Sequence, residues 1–384
     1  MKKIISLFLA VLFLTGCWDY VDLSLISIAT GYAIDKVENG YEVTFQLVNV
    51  KEVIPTRPSE KSPVTIYKEE GKTIFEALRR LSLKVPREIF VGHIKTVIIS
   101  EEIAKDDIKK VLDILARKHE FRYDIILLVA KGVKAGEILG ELTATEDIPV
   151  NEIISTIEAN NNKQGVVSTR LLYETLNIIL SDKTEIVLDG ITIETLSDKD
   201  SSESLTDVDP SKILKLTGLA IFKDDKFIDW LSEEYSMLYN SLMGLSNTTY
   251  LTIPCSDGHI TLDILENKIK KKIKENNINF NIKPLINIAH TECYMDFNDL
   301  ETLNNLEKEI NNTLEQKYLE LLNFVITNYN SDIFNFSLDI YRSNPNYWKK
   351  HIKDNPNYLT KLNIKIKVNS KLIRKGTSDK SLRK

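Results

Sequence analysis

Two cysteines and two histidines stand at spacings that invite a metal: Cys255 with His259, then His290 with Cys293. A structural zinc needs four such ligands converging at about 2.0–2.3 Å. The run 279–296 reads as one strand, in which successive side chains point to opposite faces. His290 and Cys293, three apart, then face away from each other, and no metal site is expected. Two unlinked buried thiols are the simpler reading of Cys255 and Cys293; a disulfide between them is the other. Gly71-Lys72-Thr73 imitates the end of a phosphate-cradling loop, but that motif requires glycine where this chain has Ile66. Gly71 more simply turns a strand into a helix. His93 follows Gly92 at the start of a strand and has no sequence partner for acid–base work, so it reads as a hydrogen-bonded structural histidine. No G-x-S-x-G elbow or H-E-x-x-H pair occurs. Catalytic, cofactor-binding and metal-ligating residues are therefore expected to be absent, and the chain is not expected to be an enzyme.

Cys17 offers chemistry of another kind. Lys2 and Lys3 precede an apolar run from Ile4 to Leu14, broken only by Ser6. As a helix that run is about 16 Å long, short of a hydrocarbon core of about 30 Å. A basic start and a short apolar run mark a secretory signal. It ends in Leu14-Thr15-Gly16-Cys17, which resembles the lipobox of bacterial lipoproteins. The Cys17 thiol would take diacylglycerol in thioether linkage. The small Thr15 and Gly16 would let a membrane-embedded peptidase reach the Gly16–Cys17 bond, leaving Cys17 as an N-acylated first residue. Two acyl chains hold a protein at a bilayer almost permanently, at about 0.8 kcal/mol per buried CH₂. A lipid-anchored protein on the extracytoplasmic face of a membrane is expected.

These residues must be carried by a folded body. The 384 residues leave room for two or three domains. With 27% charged and 43% hydrophobic residues, the chain is neither a polytopic membrane protein nor wholly disordered. The net charge of −5 argues against a nucleic-acid partner. Charge is unevenly spread: Arg342 to Lys384 holds 13 Lys plus Arg and two acids. That basic end could meet anionic lipid head groups, or be only a solvated strand face with a frayed tail.

Alternating and 3.6-period apolar patterns give a mixed α/β reading. A hairpin is expected over Leu25 to Ala33 and Tyr41 to Val50, then a loop at Pro55, Pro58 and Pro63, and a strand from Val64 to Lys68. A helix near Thr73 to Lys84 and a strand from His93 to Ser100 come next. Ser100 resembles an N-cap for a helix reaching about Lys118, and Tyr123 to Ala130 reads as a buried strand. Helices at about 150–160 and 169–180 and a strand at 185–195 complete the first half. Leu196 to Ser211 is polar, acidic and without periodicity, as a linker should be. Beyond it, strands are expected at about 213–222, 248–254, 258–266 and 279–296. Asp299 to Asn328 reads as a helix with Leu300, Leu303, Leu306, Ile310, Leu314, Leu321, Leu322 and Val325 on one stripe. A helix at 331–353 and a strand from Leu362 to Ile373 close the chain. The divisions are a signal peptide (1–16), an N-terminal α/β domain (17–195), a linker (196–212) and a C-terminal α/β region (213–384). The last splits near 213–255 and 256–384.

Several of these segments, in order, resemble the Ger(x)C family, the C-subunit lipoproteins of bacterial spore germinant receptors. They are Gly16-Cys17-Trp18-Asp19 with Ile26 to Asp35, then Pro86-Arg87-Glu88-Ile89-Phe90-Val91-Gly92-His93-Ile94-Lys95, Asp113 to Arg117 and the strand to Gly132. After the linker come Leu216 to Asp224, Asn344-Pro345-Asn346-Tyr347-Trp348 and Lys365 to Gly376. Where the family places a second tryptophan after Trp348, this chain has Pro356 and Tyr358. The resemblance implies a multi-subdomain α/β fold of a distinctive type and a non-enzymatic subunit on the outer face of the spore's inner membrane. It implies membrane-spanning A and B subunits as partners in nutrient-triggered germination, and it carries over Cys17 alone as a site. A solute-binding lipoprotein of a transporter would share the anchor, but should show two similar lobes around a cleft.

Overall fold

The computed structural model describes residues 25–49, 62–143, 145–197, 210–246 and 248–374. The signal, Cys17, Pro55, Pro58, most of the linker and the last ten residues lie outside them.

The chain starts as a hairpin of β1 (Ile26–Val37) and β2 (Gly40–Val48), joined by a two-residue turn. Gly40 has φ 150°, and a Cβ there would sit 2.1 Å from the Gly71 carbonyl oxygen, so only glycine fits. β3 (Val64–Gly71) pairs with β2, and β5 (Thr96–Ser100), β6 (Ile126–Ala130) and β7 (Val187–Thr195) extend the sheet in parallel from β1. A short β4 (Glu88–Phe90) also lies along β1. β8 (Lys212–Lys223) and β9 (Lys226–Trp230) finish this nine-stranded sheet in antiparallel fashion. Leu196 to Ser211 thus runs between the paired ends of β7 and β8, and the Leu196 N–H donates to the Ser211 carbonyl at 2.7 Å.

Both faces of the parallel strands are covered, which is why β5 and β6 are unbroken apolar runs. Val97, Ile99, Leu127 and Val129 meet α1 (Ile74–Leu81), α2 (Glu101–Asp106), α3 (Lys109–Arg117) and α6 (Leu172–Ser181). Ile98, Leu128 and Ala130 meet α4 (Ala135–Gly140) and α5 (Pro149–Lys163) on the other face. Ser100 caps α2 through its Oγ, 3.4 Å from the Ile103 N–H. The helix expected to run to Lys118 breaks at Asp107, which is extended (φ −170°) and accepts from the Lys109 N–H.

The second sheet holds β10 (Thr249–Cys255), β11 (Gly258–Lys274) and β12 (Asn277–Thr291) in antiparallel order. β13 (Asn363–Val368) and β14 (Lys371–Arg374) run parallel to β12. α8 (Leu300–Tyr329) buries Leu306, Ile310, Leu314, Tyr318, Leu321, Leu322, Val325 and Ile326 against one face. Leu300, in its first turn, is exposed. α7 (Glu233–Met243) and the first-sheet residues Val187, Leu219, Ile221 and Leu231 join this same core. The helix expected over 331–353 is two, α9 (Phe336–Ser343) and α10 (Pro345–His351), because proline disfavours helical geometry in the residue before it. Asn344 ends one and caps the other, its Oδ1 accepting from the Tyr347 N–H at 3.0 Å.

The architecture is therefore mixed α/β, with two mixed sheets and, among the described residues, ten helices. None of those helices is long and apolar enough to cross a membrane.

Candidate functional site

Cys17 lies outside the described residues; the other residues singled out by their chemistry can be placed. Cys255 and Cys293 form a disulfide with Cα atoms 6.3 Å apart, which corrects the expectation of unlinked thiols. β12 ends at Thr291, so strand alternation stops before Cys293. Cys293 turns inward, 2% exposed, and meets the last residue of β10, the strand on the far side of β11. The two sulfurs are bonded to each other, so the quartet has no thiolate for a metal. His259 stands exposed beside Glu292, with Nδ1 3.4 Å from Oε2, and His290 is exposed at the end of β12.

Gly71 does turn β3 into α1: a Cβ on it would lie 2.4 Å from the Ala77 nitrogen. Thr73 caps that helix through the Glu76 N–H, and the Glu76 carboxylate accepts from the Lys72 N–H at 2.9 Å. His93 corrects a second expectation. Its ring is exposed and packs edge-on against Phe90, centroids 5.5 Å apart, which is apolar contact in place of hydrogen bonding.

The most elaborate polar arrangement lies where the turn after α8 meets the first sheet. Asp332 is buried, 5% exposed. Its carboxylate accepts from the Phe336 N–H (2.9 Å), the Ser337 N–H (2.7 Å) and the Tyr358 hydroxyl (2.6 Å). Its carbonyl accepts from the Glu185 N–H at 3.1 Å and the Thr184 hydroxyl at 3.0 Å, at the entry to β7. Ser331 donates to the Phe222 carbonyl on β8, and Trp348 Nε1 donates to Ser337 Oγ. Asn330 Nδ2 donates to the Pro356 carbonyl at 2.8 Å. Pro356 and Tyr358 are therefore residues that close this joint.

A cleft of about 720 Å³ opens beside it, lined by Glu185, Asp224, Asp332, Trp348 and Tyr358 among others. Burial pushes the Asp332 carboxyl up, opposed by its three donors, and burial with Asp332 alongside raises the Tyr358 hydroxyl. A carboxylate already serving three donors is a fastener, not a free acid or base. Glu185 is different: burial, and then the negative charge of Asp224, push its carboxyl up to about 7. In the folded protein it keeps its proton to higher pH than in the unfolded chain. Its contribution is fully present below the ordinary value of 4.5 and lost as pH rises through about 7. Glu185→Gln, which keeps an acceptor for the Asp224 N–H, should therefore raise stability at pH 8 by about 3 kcal/mol and leave it unchanged at pH 4. Denaturant titrations of both proteins at the two pH values check this; an equal difference at both would refute it.

Glu185 carries no local sequence signal, since its partner Asp224 is 39 residues away, and Asp332 has only its two backbone donors, Phe336 and Ser337, nearby. Asp189 in β7, which is fully buried, carries no such signal either. It accepts from the backbone N–H groups of Ser168 (2.5 Å), Thr169 (2.8 Å) and Arg170 (3.4 Å), and from the Ser168 hydroxyl.

A mixed α/β body behind a lipobox belongs to the class of membrane-anchored lipoproteins. Comparison with known proteins agrees. Residues 1–17 match the family described as "Prokaryotic membrane lipoprotein lipid attachment site". Residues 19–193 match "Spore germination protein N-terminal domain", and residues 217–376 match "Spore germination B3/ GerAC like, C-terminal". The chain belongs to the GerAC-like family of spore germination proteins, germinant-receptor C-subunit lipoproteins that are not enzymes.

Among its relatives is spore germination protein KC of Bacillus subtilis (strain 168), 27% identical over 97% of this chain and 95% of that one. Spore germination protein B3 of the same organism is 26% identical over 99% of each. The crystal structure of the GerBC protein shares the fold, with a TM-score of 0.54 and 18% identity, covering 92% of this chain and all of that one. The transporter reading is set aside by this membership. The two family matches part between 193 and 217, while the sheet itself runs on through β7 and β8.

Proposed function

We propose that this chain is held by diacylglycerol on Cys17 to the outer face of the spore's inner membrane and works there beside membrane-spanning A and B subunits. What carries the reading is the order of the matches: a lipid attachment site, then both halves of the germination family, over nearly the whole chain. The lipid supplies attachment and the body supplies surface. Asp332 and Asp189, each serving several donors, hold that body together.

Intact-mass measurement of the native protein tests the anchor. The expected species begins at Cys17 and carries the mass of its acyl groups, while Cys17→Ala should leave unprocessed or unanchored chain. An unmodified thiol at Cys17 would overturn the assignment. Co-purification of the lipidated protein with its receptor partners tests the assembly, and a chain that consistently purifies without them would overturn that part.

A further inference from the structure

The outer face of the second sheet is a field of lysines. β11 reads Lys268-Ile269-Lys270-Lys271-Lys272-Ile273-Lys274, and its even positions are exposed while Ile269 and Ile273 pack inward. Lys271, on the inner side, pairs with Asp339. The register carries the outer face across the sheet: Lys268 lies opposite Lys283, Lys270 opposite Asn281 and then Lys367, Lys272 opposite Asn279 and then Lys365. All of these are exposed. The acids on this face of β11 are Asp263 and Glu266, beyond the lysine run, with Glu266 3.4 Å from Lys268. Among the described residues, no carboxylate forms an ion pair with Lys270, Lys272, Lys283, Lys365 or Lys367.

Like charges opposite one another destabilise a sheet, and the whole chain carries a net −5. A cationic face concentrated on such a body is therefore kept at a cost that an external anion would relieve. Protein interfaces have cores rich in aromatic residues and poor in lysine; residues 268–274 and their partners on β12 and β13 present lysine and asparagine outward. The face is broad, with neighbouring strands about 4.8 Å apart, which suits a planar charged surface. From the lipidated Cys17 to Leu25 the backbone spans at most about 28 Å, so the start of β1 stays close to a bilayer. Beyond β14 the last ten residues add four Lys or Arg and one Asp.

We infer that this lysine face of β11, β12 and β13 docks on the anionic head groups of the membrane that holds the anchor. Docking would set the orientation of the body on its tether, which two acyl chains alone leave free to swivel. It needs the lipid at Cys17 but not the receptor role.

The test uses lipidated full-length mature protein, its lipid checked by mass, in vesicles of phosphatidylcholine alone or mixed with phosphatidylglycerol. Brief acetylation with an N-hydroxysuccinimide ester, read by peptide mass spectrometry, reports each lysine. Lys270, Lys272, Lys365 and Lys367 should react about fivefold more slowly on the anionic vesicles. The protection should vanish at 1 M salt, where screening acts within about 3 Å. Lys110 and Lys118, on and just after α3 of the first sheet, should not change. The triple variant K270E/K272E/K367E, altered only at solvent-facing positions, should lose the protection at Lys365. Equal labelling on both vesicles would overturn the inference, and so would protection on phosphatidylcholine alone, which would mean contact between protein copies. If the variant fails to fold, the wild-type comparison still decides.

Discussion

Spores lacking this protein should fail to answer their cognate nutrient yet germinate normally with exogenous dipicolinate. The anchor explains the expected severity. A lipid tether confines the body to a thin layer at the membrane, which would raise its effective concentration for the spanning partners proposed above without any new contact. Losing it removes a subunit that soluble diffusion would not replace. An interface able to hold such partners should bury about 1,200–2,000 Å² in total, so a charge placed within it should reproduce the deletion. Substitutions at Ser201 or Ser202 in the polar connection should not. Germination is followed by loss of refractility with single nutrients, nutrient mixtures and dipicolinate. A deletion that spared every nutrient response while changing solute uptake would overturn the receptor role.

Asp189→Ala should cost roughly 3–5 kcal/mol of folding stability. The carboxylate is fully buried on β7 and is the shared acceptor for three consecutive backbone N–H groups and one hydroxyl. Removing it leaves those donors buried without partners, and each orphaned donor costs about 1–3 kcal/mol. It also releases Thr169, held at φ 53° in a region that non-glycine residues seldom adopt. Asp189→Asn keeps one acceptor and should lose less. Asp113→Ala, which removes an exposed partner of Arg117 on α3, should change nothing measurable. Urea titrations of the three variants give the ranking, and an Asp189→Ala no less stable than Asp113→Ala would refute the account.

Much of the fold was legible where one physical effect dominates. β6 reads as a strand because both of its faces are buried, leaving an unbroken apolar run from Ile126 to Ala130. α8 reads as a helix because its stripe persists for about seven turns, and α2 because Ser100 caps it. α7 was not legible. Ser236, Asn240 and Ser241 are buried on it, which breaks the apolar period. Their partners are remote: Ser236 accepts from the Leu219 N–H, and Asn240 donates to the Gly165 and Val166 carbonyls. β9 is short and half polar, and it forms because β8 offers it an edge. The disulfide was the less favoured reading because spacing alone does not show that Cys293, past the end of β12, comes back to the last residue of β10. The lipobox was fully legible, being a local chemical signal. The joint around Asp332 was not, since sequence spacing says nothing about a hydroxyl arriving from 26 residues away.

The pairing of β7 with β8 has a mechanical consequence. The two family halves are not beads on a string, because consecutive strands on either side of residues 198–209 are zipped together by backbone hydrogen bonds. A protease that cut the connection would leave a nicked protein still holding as one body. The second sheet also reaches β7 and β8 through the core under α8 and the Asp332 joint. A displacement imposed on one sheet should therefore be felt by the other through these contacts.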